Sequence, residues 1–280
     1  MRWSLEIPVG DPARVPAAAA GIEAAGFDAG FVTDHPAPSR EWLAHGGHPT
    51  LDPFVALTAA AGATERLRLQ TNCIIPAYRH PLVTAKAVAT LDAVSGGRVI
   101  LGVAVGYLEA EFAALGVPFA ERAERLDAAL LAMRAAWTDE LEGVTVQPAP
   151  VQQPGPPIWV GGNSVAAMRR AIAHGTGWSP FPAAPRTASA VGTAAIADLD
   201  ALAGAIARFR TLAADAGRDP DAFDICFTPF SHPAHRDVVD PAALVAEARD
   251  LAALGVTWCA FHVPAAALAD YGAAIREVGE

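Results

Sequence analysis

Where one apolar run ends, an amide, a thiol, a phenol and a guanidinium follow in quick succession. The stretch LQTNCIIPAYRHP, residues 69–81, carries Asn72, Cys73, Tyr78 and Arg79. Leu67, Leu69, Ile74 and Ile75 suit a buried strand, so the polar groups stand at its end. A second apolar run, FDAGFVT, leads into Asp34-His35. An imidazole titrates near pH 6.5, which makes His35 a candidate proton donor or acceptor; it also reads as a cap or packing group. A third run, PIWVGG, ends in Gly161-Gly162-Asn163-Ser164. Two glycines allow close backbone approach, Asn163 or Ser164 suits a helix cap, and a helix start attracts phosphate. The same four residues also make an ordinary tight turn. Gly106-Tyr107 and Gly177-Trp178 close two further runs, and a tryptophan there fits either core or pocket wall.

Other groupings carry less. His45 and His48 stand two residues apart with no cysteine or carboxylate to complete a ligand set, and His232 and His235 in SHPAHRD read the same way. Both pairs are expected at the surface, and no metal site is expected. Glu109 and Glu111 in YLEAEF could act as acid and base, but carboxylates that open a helix are accounted for by its dipole. There is no GxSxG elbow and no GxxxxGK[ST] loop, so hydrolase and P-loop chemistry lack their parts. Cys73, Cys226 and Cys259 are odd in number and far apart in apolar runs, the pattern of reduced thiols in a cytoplasmic protein.

These groups must be held by something. Strand-like runs at 3–9, 27–33, 67–75, 98–105, 157–162, 177–181, 223–228 and 257–263 alternate with amphipathic stretches such as VPAAAAGIEAAG, LVTAKAVATLDAV and ERAERLDAALLAMRAAW. Runs this apolar on both faces belong to a sheet covered by helices. The alternation and length are those of an α/β protein of (β/α)8 barrel type, a single domain over 1–280. An open doubly wound sheet is disfavoured because no GxGxxG follows the first strand. Two long segments, 35–53 and 181–198, leave the strand ends on the face where such barrels keep their active sites. A net charge of −10 argues against a nucleic-acid or anionic-membrane partner. No run approaches the roughly 18 apolar residues of a membrane span, and MRWSLEIPVG lacks a signal-peptide core.

Taken in order, GFDAGFVTDHP, GGHPTLDPFVALTAAAGATERLRLQTN, PAYRHPLVTAKAVATLDAVSGGRVILGVAVGYLEAEF and PPIWVGGNSVAAMRRAIAHGTGW resemble the bacterial luciferase-like family, in particular its coenzyme F420-dependent (deazaflavin) oxidoreductases. The resemblance implies a (β/α)8 TIM barrel with a deazaflavin across its C-terminal face, a small-molecule substrate and a homodimer. It implies a non-prolyl cis peptide at Asn72–Cys73, or else at Cys73–Ile74, backing the ring. It places Asp34 near the ring and His35 nearest the reacting carbon. Gly106 and Tyr107 would lie along the cofactor side chain, and Gly161, Gly162 and Asn163 around its phosphate, with Trp178 among the cofactor residues. Tyr78 and Arg79 would border the cofactor's polar end or the substrate mouth.

The implied activity is hydride transfer between deazaflavin and a small organic substrate, with His35 handling the proton. The alternatives are an FMN monooxygenase with a partner reductase and a catalytically idle cofactor-binding barrel. Three features depart from the family pattern: Ala104 replaces the central glycine of Gly-x-Gly-x-Gly, Thr176 precedes Gly177-Trp178 in place of aspartate, and TDELEGVTV is short.

Overall fold

A run without a polar side chain and buried at every position, such as Val99–Val103, requires helices on one side and a filled interior on the other. The structure, a computed structural model describing residues 1–232 and 239–279, meets that requirement with a closed barrel of parallel strands in chain order. The strands are β1 (Arg2–Glu6), β2 (Ala29–Val32), β3 (Arg68–Ile74), β4 (Val99–Val103), β5 (Ile158–Gly161), β6 (Gly177–Ser179), β7 (Asp224–Phe227) and β8 (Trp258–Phe261). Apart from Arg2, all lie inside the spans expected from sequence.

The expected helices are also present: α1 (Val15–Ala25), α3 (Pro53–Ala61), α4 (Pro81–Ser95), α6 (Arg122–Trp137), α7 (Val165–His174), α9 (Leu199–Asp215) and α10 (Pro241–Leu254). Four more do not follow from the alternation: α2 (Arg40–Ala44), α5 (Glu109–Ala114), α8 (Pro185–Val191) and α11 (Leu268–Gly279). Two of them sit inside the long segments expected as loops. Local chemistry explains these, since Ser39 caps α2 through Trp42 N–H and Pro185 opens α8. Among the described residues no helix is long and apolar enough to cross a membrane.

Strand register sorts side chains between two cores. Ser4 pairs with Ala29 and Ala260, which join Phe31, Ile100, Trp159, Cys226 and Trp258 in a cluster inside the barrel. Trp3, Leu5 and Ile7 belong to the larger core between strands and helices. Alternation then turns Glu6, two residues beyond Ser4, and His262, two beyond Ala260, into the barrel at its C-terminal rim.

The tightest strand contact is between β3 and β4. A Cβ on Gly102 would lie 2.1 Å from the Thr71 carbonyl oxygen, while Thr71 Oγ1 donates to the Gly102 carbonyl at 2.8 Å. Just beyond this contact the Asn72–Cys73 peptide is cis, at the first of the two bonds expected. Gly102→Ala is therefore expected to cost about 3 kcal/mol or more, because backbone must move, whereas Ala104→Gly should cost about 0.5–1 kcal/mol. Urea unfolding followed by tryptophan fluorescence measures both; a Gly102→Ala midpoint equal to wild type would refute the close packing.

Candidate active site

The loops after β2, β3 and β4 meet at one buried carboxylate. Glu111, on α5, is 1% exposed. His35 Nδ1 lies 3.3 Å from Glu111 Oε2, Tyr78 Oη donates to the same oxygen at 3.0 Å, and Ala37 N–H donates to Oε1 at 2.9 Å. Burial alone would raise this carboxyl, but the hydrogen bonds from His35, Ala37 and Tyr78 outweigh it and hold it below the usual range. An ionised carboxylate only accepts, so the proton between the pair belongs on His35 Nδ1, leaving Nε2 as the acceptor of a neutral ring. Tyr78 is pushed above the ordinary phenol range, first by burial and then by the charge of Glu111, so it stays a donor. Sequence reasoning reduced Glu111 to a dipole partner. The structure makes it the centre of the site.

Aromatic groups close around His35. Trp42 of α2 lies 4.5 Å from its ring centroid, His48 5.4 Å and Tyr107 6.2 Å. His48 Nε2 is 3.2 Å from Thr33 Oγ1, so this histidine, expected at the surface, belongs to the site wall. His45 is exposed as expected. His232 is the opposite correction: it is 1% exposed and 2.6 Å from Tyr271 Oη, a core group. His235 lies outside the described residues. No cluster of potential metal ligands occurs among the described residues.

Asp34 and Arg79 do not stand open to a ligand. Arg79 binds Asp34 with both terminal nitrogens, 2.9 Å for Nη2–Oδ1, and also reaches Asp52 at 3.3 Å. Asp34 additionally accepts the Ile75 N–H at 3.3 Å. The pair thus ties the ends of β2 and β3 to the start of α3 and fixes the segment holding Asn72 and Cys73. The Cys73 thiol, pushed up to about 12 by burial, is a neutral packing group against Gly161.

At the end of β5, Gly162 adopts φ +118°, a conformation that favours glycine. Its carbonyl accepts from Trp178 Nε1 at 2.8 Å. Trp178 is fully buried and stacked on Phe209 at 5.0 Å, so it supports the turn from behind and is not a pocket wall. Asn163 is likewise committed: its amide bonds the carbonyls of Phe181 and Ala194 and the Phe181 N–H, and its own N–H donates to Thr193. It clamps the 181–198 segment to the rim. Ser164 caps α7 through Ala167 N–H, while the first-turn N–H groups of Val165 and Ala166 have no partner among the described residues. The short segment TDELEGVTV, residues 138–146, carries neither helix nor strand.

A family model described as luciferase-like monooxygenase matches residues 4–279. An uncharacterised protein of Mycobacterium tuberculosis (strain H37Rv) is 36% identical over 206 residues, 65% of this chain and 73% of that protein. An F420-dependent glucose-6-phosphate dehydrogenase of Intrasporangium calvum is 41% identical over 126 residues, 42% of this chain and 36% of the relative. Among solved structures, an F420-dependent secondary alcohol dehydrogenase with an F420–acetone adduct superposes with a TM-score of 0.76 at 18% identity, covering 99% and 98% of the two chains. A monooxygenase from Streptomyces bottropensis gives 0.75 at 21%, with the same coverage. At these identities the structural likeness concerns the fold.

Two measurements check the site. Arg79→Met would leave the Asp34 carboxylate buried beside Ile75 N–H without its ion-pair partner, at an expected cost of about 3–5 kcal/mol; a loss below about 1 kcal/mol in urea unfolding would refute the clasp. For Glu111 the folded-state carboxyl titrates below the usual 4.5, so its stabilisation is complete above that value and lost as pH falls through the folded one. The stability gap between wild type and Glu111→Gln should therefore narrow as pH drops from about 7 to about 3.5. A gap that stays constant with pH would place the carboxyl outside this network.

Proposed function

The chain is an oxidoreductase of the luciferase-like monooxygenase family, and we propose that it uses coenzyme F420 to interconvert a small alcohol and its carbonyl compound. The observation that carries this reading is the His35–Glu111–Tyr78 arrangement, a proton site built in advance at the barrel mouth.

The residues fit a deazaflavin in two respects. The glycine turn at Gly161-Gly162 leaves backbone rather than side chain at the start of α7, whose unpartnered N–H groups suit a phosphate. The ends of β3 and β4 are pressed together at Gly102, giving a fixed wall beside Asn72 and Cys73. Gly106 and Tyr107 continue that wall toward the half-open rim.

When bound, the deazaflavin supplies two-electron hydride chemistry and reacts poorly with oxygen. The protein handles the proton. Glu111 keeps the Nδ1 proton on His35 and leaves Nε2, on the other side of the ring, as the acceptor for the proton of a substrate hydroxyl as the carbon is oxidised. The imidazolium that results is stabilised by the Glu111 carboxylate, and in the reverse direction the same proton returns to the carbonyl oxygen. Trp42 covers the His35 ring and excludes water from it.

Fluorescence titration tests the cofactor: deazaflavin should bind more tightly than FMN, and Gly162→Val should weaken it. Equal or tighter FMN binding, with oxygen consumption in the presence of a flavin reductase, would replace this reading by a monooxygenase. With an alcohol or ketone panel, His35→Ala should lower turnover by about 10²–10⁴-fold while cofactor affinity changes little. Wild-type turnover in that variant would remove the assigned role.

A further inference from the structure

The three tyrosines of the chain differ in what their hydroxyl hydrogens do. Tyr271 is buried in the core. Tyr78 gives its hydrogen to Glu111. Tyr107 stands at the rim, 40% exposed, and its oxygen is paired with the Trp42 indole N–H. An indole nitrogen only donates, so this pairing occupies a lone pair of the phenol oxygen and does not use the phenol hydrogen. No acceptor for that hydrogen occurs among the described residues.

The surroundings aim this group at the proton site. Behind Tyr107 the Gly106 backbone lies so close to the buried Phe112 ring that a Cβ there would come within 2.8 Å of it, which fixes where the loop leaves the rim. In front, Tyr107 and Trp42 both border His35, with ring centroids 6.2 and 4.5 Å from the imidazole. Pairing with the indole therefore holds the phenol oxygen on the His35 side of the mouth. Burial pushes the Tyr107 hydroxyl above the ordinary phenol range, with the indole N–H pulling it down and the Glu111 charge pushing it further up. It keeps its proton at neutral pH.

A carbonyl oxygen has two lone pairs, and protonated His35 meets one of them through Nε2. As the carbonyl carbon is reduced, negative charge gathers on that oxygen and a second donor stabilises it. Tyr78 and Arg79 are held by Glu111 and Asp34, so neither is available for this. Resting on the reading given under Proposed function, we propose that Tyr107 is a second catalytic residue, whose O–H donates to the reacting oxygen of the substrate while His35 exchanges the proton. In oxidation the substrate hydroxyl proton moves to His35 Nε2, the carbinol hydrogen leaves with its electron pair to the oxidised deazaflavin, and the carbon–oxygen double bond forms. Reduction reverses each transfer, and Tyr107 keeps its own proton in both directions.

The test uses the deazaflavin-loaded protein with cyclohexanol and cyclohexanone. Tyr107→Phe keeps the ring and loses the hydroxyl, so kcat should fall about 10²–10³-fold in both directions while deazaflavin affinity changes less than about threefold. A loss of cofactor affinity that matches the loss of kcat would make Tyr107 a cofactor contact alone and overturn the proposal. Trp42→Phe removes the same indole–phenol pairing but leaves the O–H, and its loss of kcat should be at least about 10-fold smaller. Equal losses in the two variants would reduce Tyr107 to a support for Trp42, which also overturns it. A binding arm separates the inference from the reading on which it rests. Cyclohexanone cannot react with the oxidised cofactor present, so calorimetry reads binding alone, and wild type should hold the ketone about 10-fold more tightly than Tyr107→Phe. If neither compound is turned over, the dehydrogenase reading falls and this arm decides the role of Tyr107; equal or absent ketone binding overturns the inference.

Discussion

A carboxylate sealed from water survives only where donors converge on it, and at Glu111 they come from parts of the chain that are distant in sequence. His35 and Ala37 belong to the connection after β2, Tyr78 to the one after β3, and Glu111 itself to α5 after β4. No local element could assemble this group. It exists because a closed parallel barrel brings every strand's C-terminal end to one rim. The three loops are in turn locked to one another by the same hydrogen bonds, so Tyr78 and His35 are held by their shared partner as much as by their own backbone.

Positions and roles were not equally legible in the sequence. Strand and helix spans depend on local periodicity, and the alternation of apolar runs located the eight strands and seven of the eleven helices among the described residues. Glu111 was misread because its partners His35 and Tyr78 are 76 and 33 residues away, beyond any local pattern. A sign was present nonetheless. Glu109 and Glu111 are two residues apart, about 200° around a helix, and so cannot share its outer face; in the structure Glu109 is exposed and Glu111 buried. In the same way WSLEIPV alternates Ser4 and Glu6 with Trp3, Leu5 and Ile7, a pattern that already turns the polar pair to the side opposite the main core. His48 and His232 show the limit: histidines in turn-rich stretches give no local indication of what the fold will set beside them.

Several residues that the family resemblance set against a cofactor are committed to hydrogen bonds within the protein. Trp178 holds the Gly162 carbonyl from the core side, Asn163 fixes the 181–198 segment, and Asp34 with Arg79 ties β2 to β3 and α3. The resemblance pointed to strand ends that the fold gathers at one rim. It did not separate contact from support, because both kinds of residue cluster at the same rim. Orientation decides between them, and orientation follows from register and packing, which a motif does not encode.

Charge illustrates the same separation of global from local cause. A chain of net charge −10 is a poor partner for extended polyanions, yet its α7 start offers partial positive charge to a single phosphate. The two statements agree because salt screens exposed charges beyond about 8–10 Å, so the acidic surface acts on encounter and hardly on a group seated in the turn. There the first-turn N–H groups of Val165 and Ala166 are fixed in direction by the helix and by the Ser164 cap. Binding by backbone also needs no lysine or arginine beside the ring, which leaves Arg79 to brace Asp34. The site's electrostatics are therefore set by backbone and buried pairs, while the side-chain charge count describes only the outer surface.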